Sequence, residues 1–337
     1  MKKYLLKRLL LSVFVLIGIS VVIFVIARIV PGNPARLALG ERASEEAIAA
    51  YSEAMHLNEP LYKQYYYWFT SALKLDLGMS LTTKRPVLTD VTEFLPATLE
   101  LVIVSGLLQI LFAFFLGILS AKHRDGIVDG SVRFLSYIGI SVPSFAWAVI
   151  FLLIFGFVWP ILPVFNRLST GVAPPVNTIT GMYITDFILQ GDFLGAWDAF
   201  EHVLLPSIAL AIGHIAQEAR ILRSSLVDNM SKEYITVTKS YGIPQNKLMY
   251  KYLLKPSAVS MITVAGMDFA STLGNAFLVE TIFNWPGISR YCLTCMLNKD
   301  LNAISAVILI IGIVYMTMNI IVDMVIAALD PRVRLGD

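Results

Sequence analysis

Two spacings and one isolated carboxylate in this 337-residue chain could carry chemistry. Cys292-Leu293-Thr294-Cys295 has the separation of a zinc half-site or a redox pair, but a closed zinc site needs four ligands and no second pair lies nearby. The alternatives are a small apolar role for both cysteines and, in an oxidising compartment, a disulfide. His214 and Glu218 stand four residues apart, one turn along a helix, which suits a proton relay or two ligands of a metal; as a lone pair they too lack a full ligand set. Asp268 is the acidic residue midway along an apolar run, where a carboxylate costs about 2.5 to 3.5 kcal/mol on insertion scales, so it is expected to face a partner helix or a water-filled path. Glu100, Glu280 and Asp323 sit near the ends of such runs and read as structural or interfacial. No Gly-x-Ser-x-Gly and no His-Glu-x-x-His occurs, so an intramembrane hydrolase has no constellation to work with.

The elements that must hold these residues are set by composition. The chain is 57% apolar and 15% charged, with a mean hydropathy of +0.71, whereas soluble chains are about a quarter charged. The formal charge of +2 excludes a strongly basic nucleic-acid binder, and four histidines with two cysteines exclude a disulfide scaffold or a multi-site metalloprotein. Uncharged runs cover residues 9–27, 101–121, 134–159 and 303–322, each near the roughly 20 residues that cross the hydrocarbon. A fifth, 257–279, is interrupted by Asp268, and a weaker one, 203–217, spans only if its polar end continues the helix. Six spans are expected, the fourth the weakest. Lys2, Lys3, Lys7 and Arg8 imitate a signal peptide, but the long first run without a small-residue cleavage site reads as an uncleaved span.

Sixteen of the 26 lysines and arginines fall on the side of the N-terminus, which by the positive-inside rule places both termini in the cytoplasm. Residues 31–96 and 160–202 then lie outside. The first contains an expected helix over 44–57, with Ser44 as N-cap and Glu45 and Glu46 in its first turn, and a second over 61–73. Its cluster Tyr65, Tyr66, Tyr67 and Trp68 fits either an interfacial aromatic belt or a partner contact. The second loop reads as a lid or docking surface.

On the inner side, Tyr234, Val237, Thr238 and Tyr241 recur on one face of a short helix, Gly242 can end it in the left-handed region, and Pro244 suits the start of the next. Glu233, Lys239 and Ser240 offer polar contacts at its rim. Such a helix fits a groove on a partner protein or, with Lys239, Lys247, Lys251 and Lys255, an anionic bilayer surface.

This segment resembles the coupling loop of ABC-importer permeases, a helix six residues ahead of a glycine followed by a second helix ending near Leu-Pro. Gly242 matches the glycine; Thr236 stands where many members have glutamate, and the terminal proline is Pro256. Six segments in order resemble the peptide and nickel branch: residues 30–34 (Val-Pro-Gly-Asn-Pro), 75–80, 95–101 (Leu-Pro-Ala-Thr-Leu-Glu-Leu), 141–145 (Ser-Val-Pro-Ser-Phe), 280–287 (Glu-Thr-Ile-Phe-Asn-Trp-Pro-Gly) and 330–334 (Asp-Pro-Arg-Val-Arg).

The resemblance implies an all-α membrane protein of type I importer architecture with six transmembrane helices in a bacterial or archaeal inner membrane. Its parts would be an N-terminal helix (1–30), an extracytoplasmic region with short helices (31–96), a core with five transmembrane helices and a coupling loop at 228–256 (97–330), and a cytoplasmic tail (331–337). The implied partners are a second, similar permease, two ATPase subunits that bind ATP and Mg, and an external substrate-binding protein. The chain itself would need no cofactor and catalyse nothing. Glu233, Tyr234, Val237, Thr238, Lys239, Tyr241 and Gly242 would contact the ATPase, and Asp268 is the candidate pathway residue. Residues 84–88 and 122–125 resemble nickel members and the long second loop resembles dipeptide members; short peptides are the expected cargo, nickel complexes the alternative. A self-sufficient secondary transporter or channel is the rival class.

Overall fold

The computed structural model describes residues 2–29, 34–40, 43–54 and 56–329. The motifs at 30–34 and 330–334 and the tail at 331–337 lie largely or wholly outside them. Among the described residues the chain is helical, with one isolated bridge between Met79 and Pro86 and no strand. The helices are α1 (Lys2–Ile29), α2 (Pro34–Leu39), α3 (Glu45–Ala54), α4 (Leu61–Leu73), α5 (Val87–Lys122), α6 (Ile127–Ser141), α7 (Ser144–Leu153), α8 (Tyr183–Gln190), α9 (Phe193–Met230), α10 (Glu233–Ser240), α11 (Gln245–Lys247), α12 (Leu254–Ile282), α13 (Ile288–Leu297) and α14 (Leu301–Leu329). Five are long and apolar enough to cross a membrane, six if the bent pair α6–α7 counts as one span.

The break in that pair falls at Pro143, within the third apolar run. Pro143 has no N–H to donate and its ring forces Val142 out of the helical region, to φ −97° and ψ 123°, so the two halves diverge by 105°. Pro256, expected to close the second coupling helix, closes nothing. A π-helical turn at Leu248–Leu253 precedes it, with Leu254 N–H reaching back five residues to Met249 O, and the helix continues as α12. The widened turn leaves room for a proline that a tight helix would exclude. The weakest expected span is the interior of α9, the longest helix. Its run is only moderately apolar because protein, not lipid, surrounds it; of the long helices it is the most buried.

The chain divides into two compact units, Met1–Pro96 with Pro286–Thr317 and Ala97–Trp285 with Met318–Asp337. In the first, α4 lies against α1, where Tyr65 hydrogen-bonds Ser20 Oγ (2.8 Å) and its ring meets Phe24 edge-on; Tyr62 and Tyr66 of the same helix stay exposed. Ser44 Oγ accepts from Ala47 N–H and caps α3 as expected. Segment 75–86 is pinned by the carboxylate of Asp300, which accepts from Ser80 Oγ (2.6 Å) and Thr82 N–H (3.0 Å).

In the second unit α9 packs against α6, α7, α8 and α12. Its N-cap is Asp192, whose side chain accepts from Gly195 N–H. Gly139 of α6 lies so close to α9 that a Cβ there would stand 2.9 Å from Ala216 Cβ and 3.3 Å from Ile212 O. Gly266 likewise faces Val322, whereas Gly274 has open space around it. Replacing Gly139 with leucine therefore overpacks α6 against α9. We expect a loss of about 1 to 3 kcal/mol, read as a lower unfolding midpoint of the purified protein in detergent; an unchanged midpoint would contradict the close approach.

Candidate functional sites

Two regions of the second unit bring the sequence-predicted residues together. The first is α10. Lys232 is extended (φ −77°, ψ 145°), the helix runs eight residues, and Gly242 ends it at φ +72°, where a side chain would be strained. Tyr234, Val237 and Tyr241 project from it, 42%, 53% and 80% exposed. Glu233 and Lys239 are also exposed, while Thr238 is half-buried and its hydroxyl donates to Tyr234 O (2.6 Å). The helix is held by Ile235, which is fully buried in a cluster with Leu222 and Leu226 of α9, Leu248, Met249 and Leu253. Periodicity had pointed to the tyrosine face and passed over Ile235, one residue away. Beside it, Asn229 Nδ2 donates to Ser257 Oγ (2.9 Å) and that hydroxyl to Ser225 O (3.2 Å), tying the end of α9 to the start of α12.

The second region is a band of polar groups between apolar helices. Asp268, at the midpoint of α12, is turned toward α9. Its Oδ2 lies 3.4 Å from His214 Nδ1 and accepts from Gln217 Nε2 (3.5 Å). Glu218 is fully buried and accepts through Oε1 from Gln109 Nε2 of α5. The i, i+4 pair His214/Glu218 thus diverges to two different neighbours, and among the described residues no group of three or more His, Cys, Asp or Glu side chains is placed to hold a metal. At the α6–α7 break a cavity of about 470 Å³ opens. Val142, Pro143, Phe145 and Phe277 give it an apolar wall, and His214, Gln217, Thr272 and Asn275 a polar one. Asp268 is not among the lining residues; it stands behind His214 and Gln217.

Two of the sequence segments, nearly two hundred residues apart, meet at the other end of this unit. Trp285 is buried and donates from Nε1 to Ala97 O (2.9 Å), and Thr98 Oγ1 donates to Glu280 (2.5 Å). Glu100 forms a buried ion pair with Arg167 (2.5 Å) and accepts from Ile184 N–H (2.7 Å); the Arg167 guanidinium also lies over the Tyr183 ring at 3.5 Å. Loop 159–182 is fastened by this pair. Arg167 escaped the sequence reading because nothing local in a proline-rich loop marks a buried cation.

Cys292 and Cys295 lie in helix α13, not in a loop, and are buried free thiols. They pack with Val87, Val91, Ile288 and Ala303, so the apolar reading of the pair holds. Burial, and then the neighbouring Cys295, push the Cys292 thiol up to about 11. Since the thiolate is the nucleophile, neither cysteine should react with maleimide at pH 7.5 in the folded protein, and both should after denaturation, as counted by mass; rapid labelling of the native protein would contradict this packing.

Residues 113–335 match the family of binding-protein-dependent transport system inner membrane components, and residues 1–102 match that family's N-terminal model. The chain is 36% identical to a dipeptide transport system permease protein of Alkalihalophilus pseudofirmus, covering 99% of this chain and all of that one. It is 35% identical to a probable D,D-dipeptide transport system permease protein of Escherichia coli, over 96% of this chain and 95% of the other, and 29% identical to a glutathione transport system permease protein of Escherichia coli, over 99% of each.

Proposed function

This chain belongs to the binding-protein-dependent transport system inner membrane components, and we propose that it forms half of the translocation pathway of an ATP-driven importer for short peptides. Members of this family are multi-pass permease subunits and not enzymes. The peptide cargo is supported by likeness along the whole chain to permeases named for dipeptides and glutathione. In this reading both termini are cytoplasmic, in keeping with the lysine and arginine distribution, and six helices or helix pairs span the membrane. A second, similar permease completes the pathway, a binding protein delivers cargo from outside, and two ATPase subunits bind ATP and Mg.

The observation that carries the reading is α10, a short helix with an exposed aromatic face, joined to α9 through Ser231 and Lys232 and to α12 through α11 and the π-helical turn, α9 and α12 themselves being packed together. Tyr234, Val237 and Tyr241 enter a groove on the ATPase, with Glu233, Thr238 and Lys239 at its rim and Gly242 setting the exit of the chain. ATP favours one state of the permease only through contacts that differ between states, and a gripped helix supplies them. Because Ile235 seats α10 on α9 and the Asn229–Ser257–Ser225 bonds join α9 to α12, displacement of α10 moves both helices as one body.

Replacing Tyr234 and Tyr241 together with aspartate removes two large side chains, each contributing about 1.5 to 3 kcal/mol when buried, and puts charge into the groove. The double variant is expected to insert and pair with its partner permease but to lose the ATPases on co-purification; full retention of the ATPases would refute the docking role. The purified chain alone in liposomes is expected to neither hydrolyse ATP nor move dipeptide above leak. Uptake by the lone chain would favour a self-sufficient transporter instead.

A further inference from the structure

The cavity at the α6–α7 break has a hydrogen-bonding polarity set from behind its wall. His214 Nδ1 lies 3.4 Å from Asp268 Oδ2, and Gln217 uses its NH₂ group on the same carboxylate oxygen. Thr272, a third lining residue, spends its hydroxyl proton on the backbone carbonyl of Asp268 (2.8 Å). Gln217 thus spends one of its two N–H groups on the Asp268 carboxylate, His214 stands within ion-pair range of the same oxygen, and Thr272 bonds back to its own helix. The acceptors these three leave to the cavity are the Nε2 lone pair of a neutral His214, the Oε1 of Gln217 and the Oγ1 lone pairs of Thr272, beside Asn275 and Ser144, which can both donate and accept. No lysine or arginine lines the cavity. Behind the wall stand two carboxyl groups, Asp268 and the fully buried Glu218, whose Oε2 has no hydrogen-bond donor among the described residues. Acceptors backed by the Asp268 carboxylate, between helices long enough to span a membrane, form an environment that favours a cation carrying several N–H donors.

We propose that this cavity is a holding site within the permease for the free ammonium terminus of the peptide cargo, with His214, Gln217 and Thr272 accepting its three N–H groups. Asp268 is the positioning residue: its carboxylate holds Gln217, lies beside His214, and supplies negative charge without touching the cargo. The apolar wall, Val142, Pro143, Phe145 and Phe277, takes the cargo side chain without reading its chemistry, as an importer of varied short peptides requires. A volume of about 470 Å³ lies within the range of small-ligand sites. The assignment rests on the peptide-importer reading above and adds to it a site and a chemical preference.

The test uses the assembled importer in nanodiscs with Leu278→Cys as a reporter in the cavity lining; the native Cys292 and Cys295 are buried and leave the background low. Alkylation of the reporter is timed with alanyl-alanine or N-acetyl-alanyl-alanine present at equal concentration, without binding protein. The free-amino peptide is expected to slow labelling at least fivefold and the acetylated one less than twofold. Asp268→Asn and, separately, His214→Phe should erase the difference, and Asp268→Glu should restore most of it. Equal protection by the two peptides, no protection by either, or a difference that survives both Asp268→Asn and His214→Phe would overturn the proposal. Uptake of alanyl-alanine by the unsubstituted importer with its binding protein and ATP is measured in parallel. Absent uptake counts against the peptide reading, whereas normal uptake without selective protection counts against this site alone.

Discussion

A helix enclosed by other helices away from water must find partners for its polar side chains among its neighbours, and α9 is built around that constraint. Along its length Ser207 reaches Leu101 O, Gln217 reaches Asp268, Glu218 takes Gln109, Arg223 grips Asp129 (2.5 Å) and Asn229 meets Ser257. These ties run to α5, α6 and α12. A slip of one residue would rotate each of them by about 100° and strand carboxyl groups in an apolar interior, so the register of the bundle is fixed by polar pairing as much as by shape. Apolar contacts between Leu, Val and Ala would tolerate several registers; the buried carboxyl groups tolerate one.

Placing polarity on α9 also explains why the cavity lies where it does. Pro143 splits α6 from α7, and the resulting gap sits against the stretch of α9 that carries His214 and Gln217. Irregular backbone at membrane depth is tolerated where it lines a cavity or is buried in protein, and the 105° break satisfies that condition. The proline and the polar band are therefore two halves of one feature: the first opens space and the second gives it chemical character.

The two ends of this unit are organised by different means. Near Glu100, a buried ion pair with Arg167, stacked over Tyr183, fastens a loop that has little regular structure of its own. Removing either partner would leave an uncompensated buried charge, so the pair restricts where the loop can lie. At α10 the anchor is a single isoleucine under an exposed aromatic face. A light anchor under a large exposed face leaves the tyrosine side chains open to contact.

Hydropathy by itself determined that the chain is a helical membrane protein, because an uncharged run of about twenty residues has few other stable fates in water or lipid. Cap residues and helical spacing located the short helix over 61–73, the N-cap Ser44, the left-handed Gly242 and the exposed aromatic face of α10, all of which depend on residues close in sequence. Long-range features were settled only by tertiary structure. The weakest apolar run became the interior of the most buried long helix because its neighbours are protein, which window hydropathy does not register. Ile235 as anchor, Arg167 as the partner of Glu100, and the meeting of His214, Gln217 and Thr272 at one cavity each depend on which residues from distant segments meet. Asp268 was legible as a carboxylate within an apolar run that needed company; which groups answered it was decided by the rotation of α12 against α9.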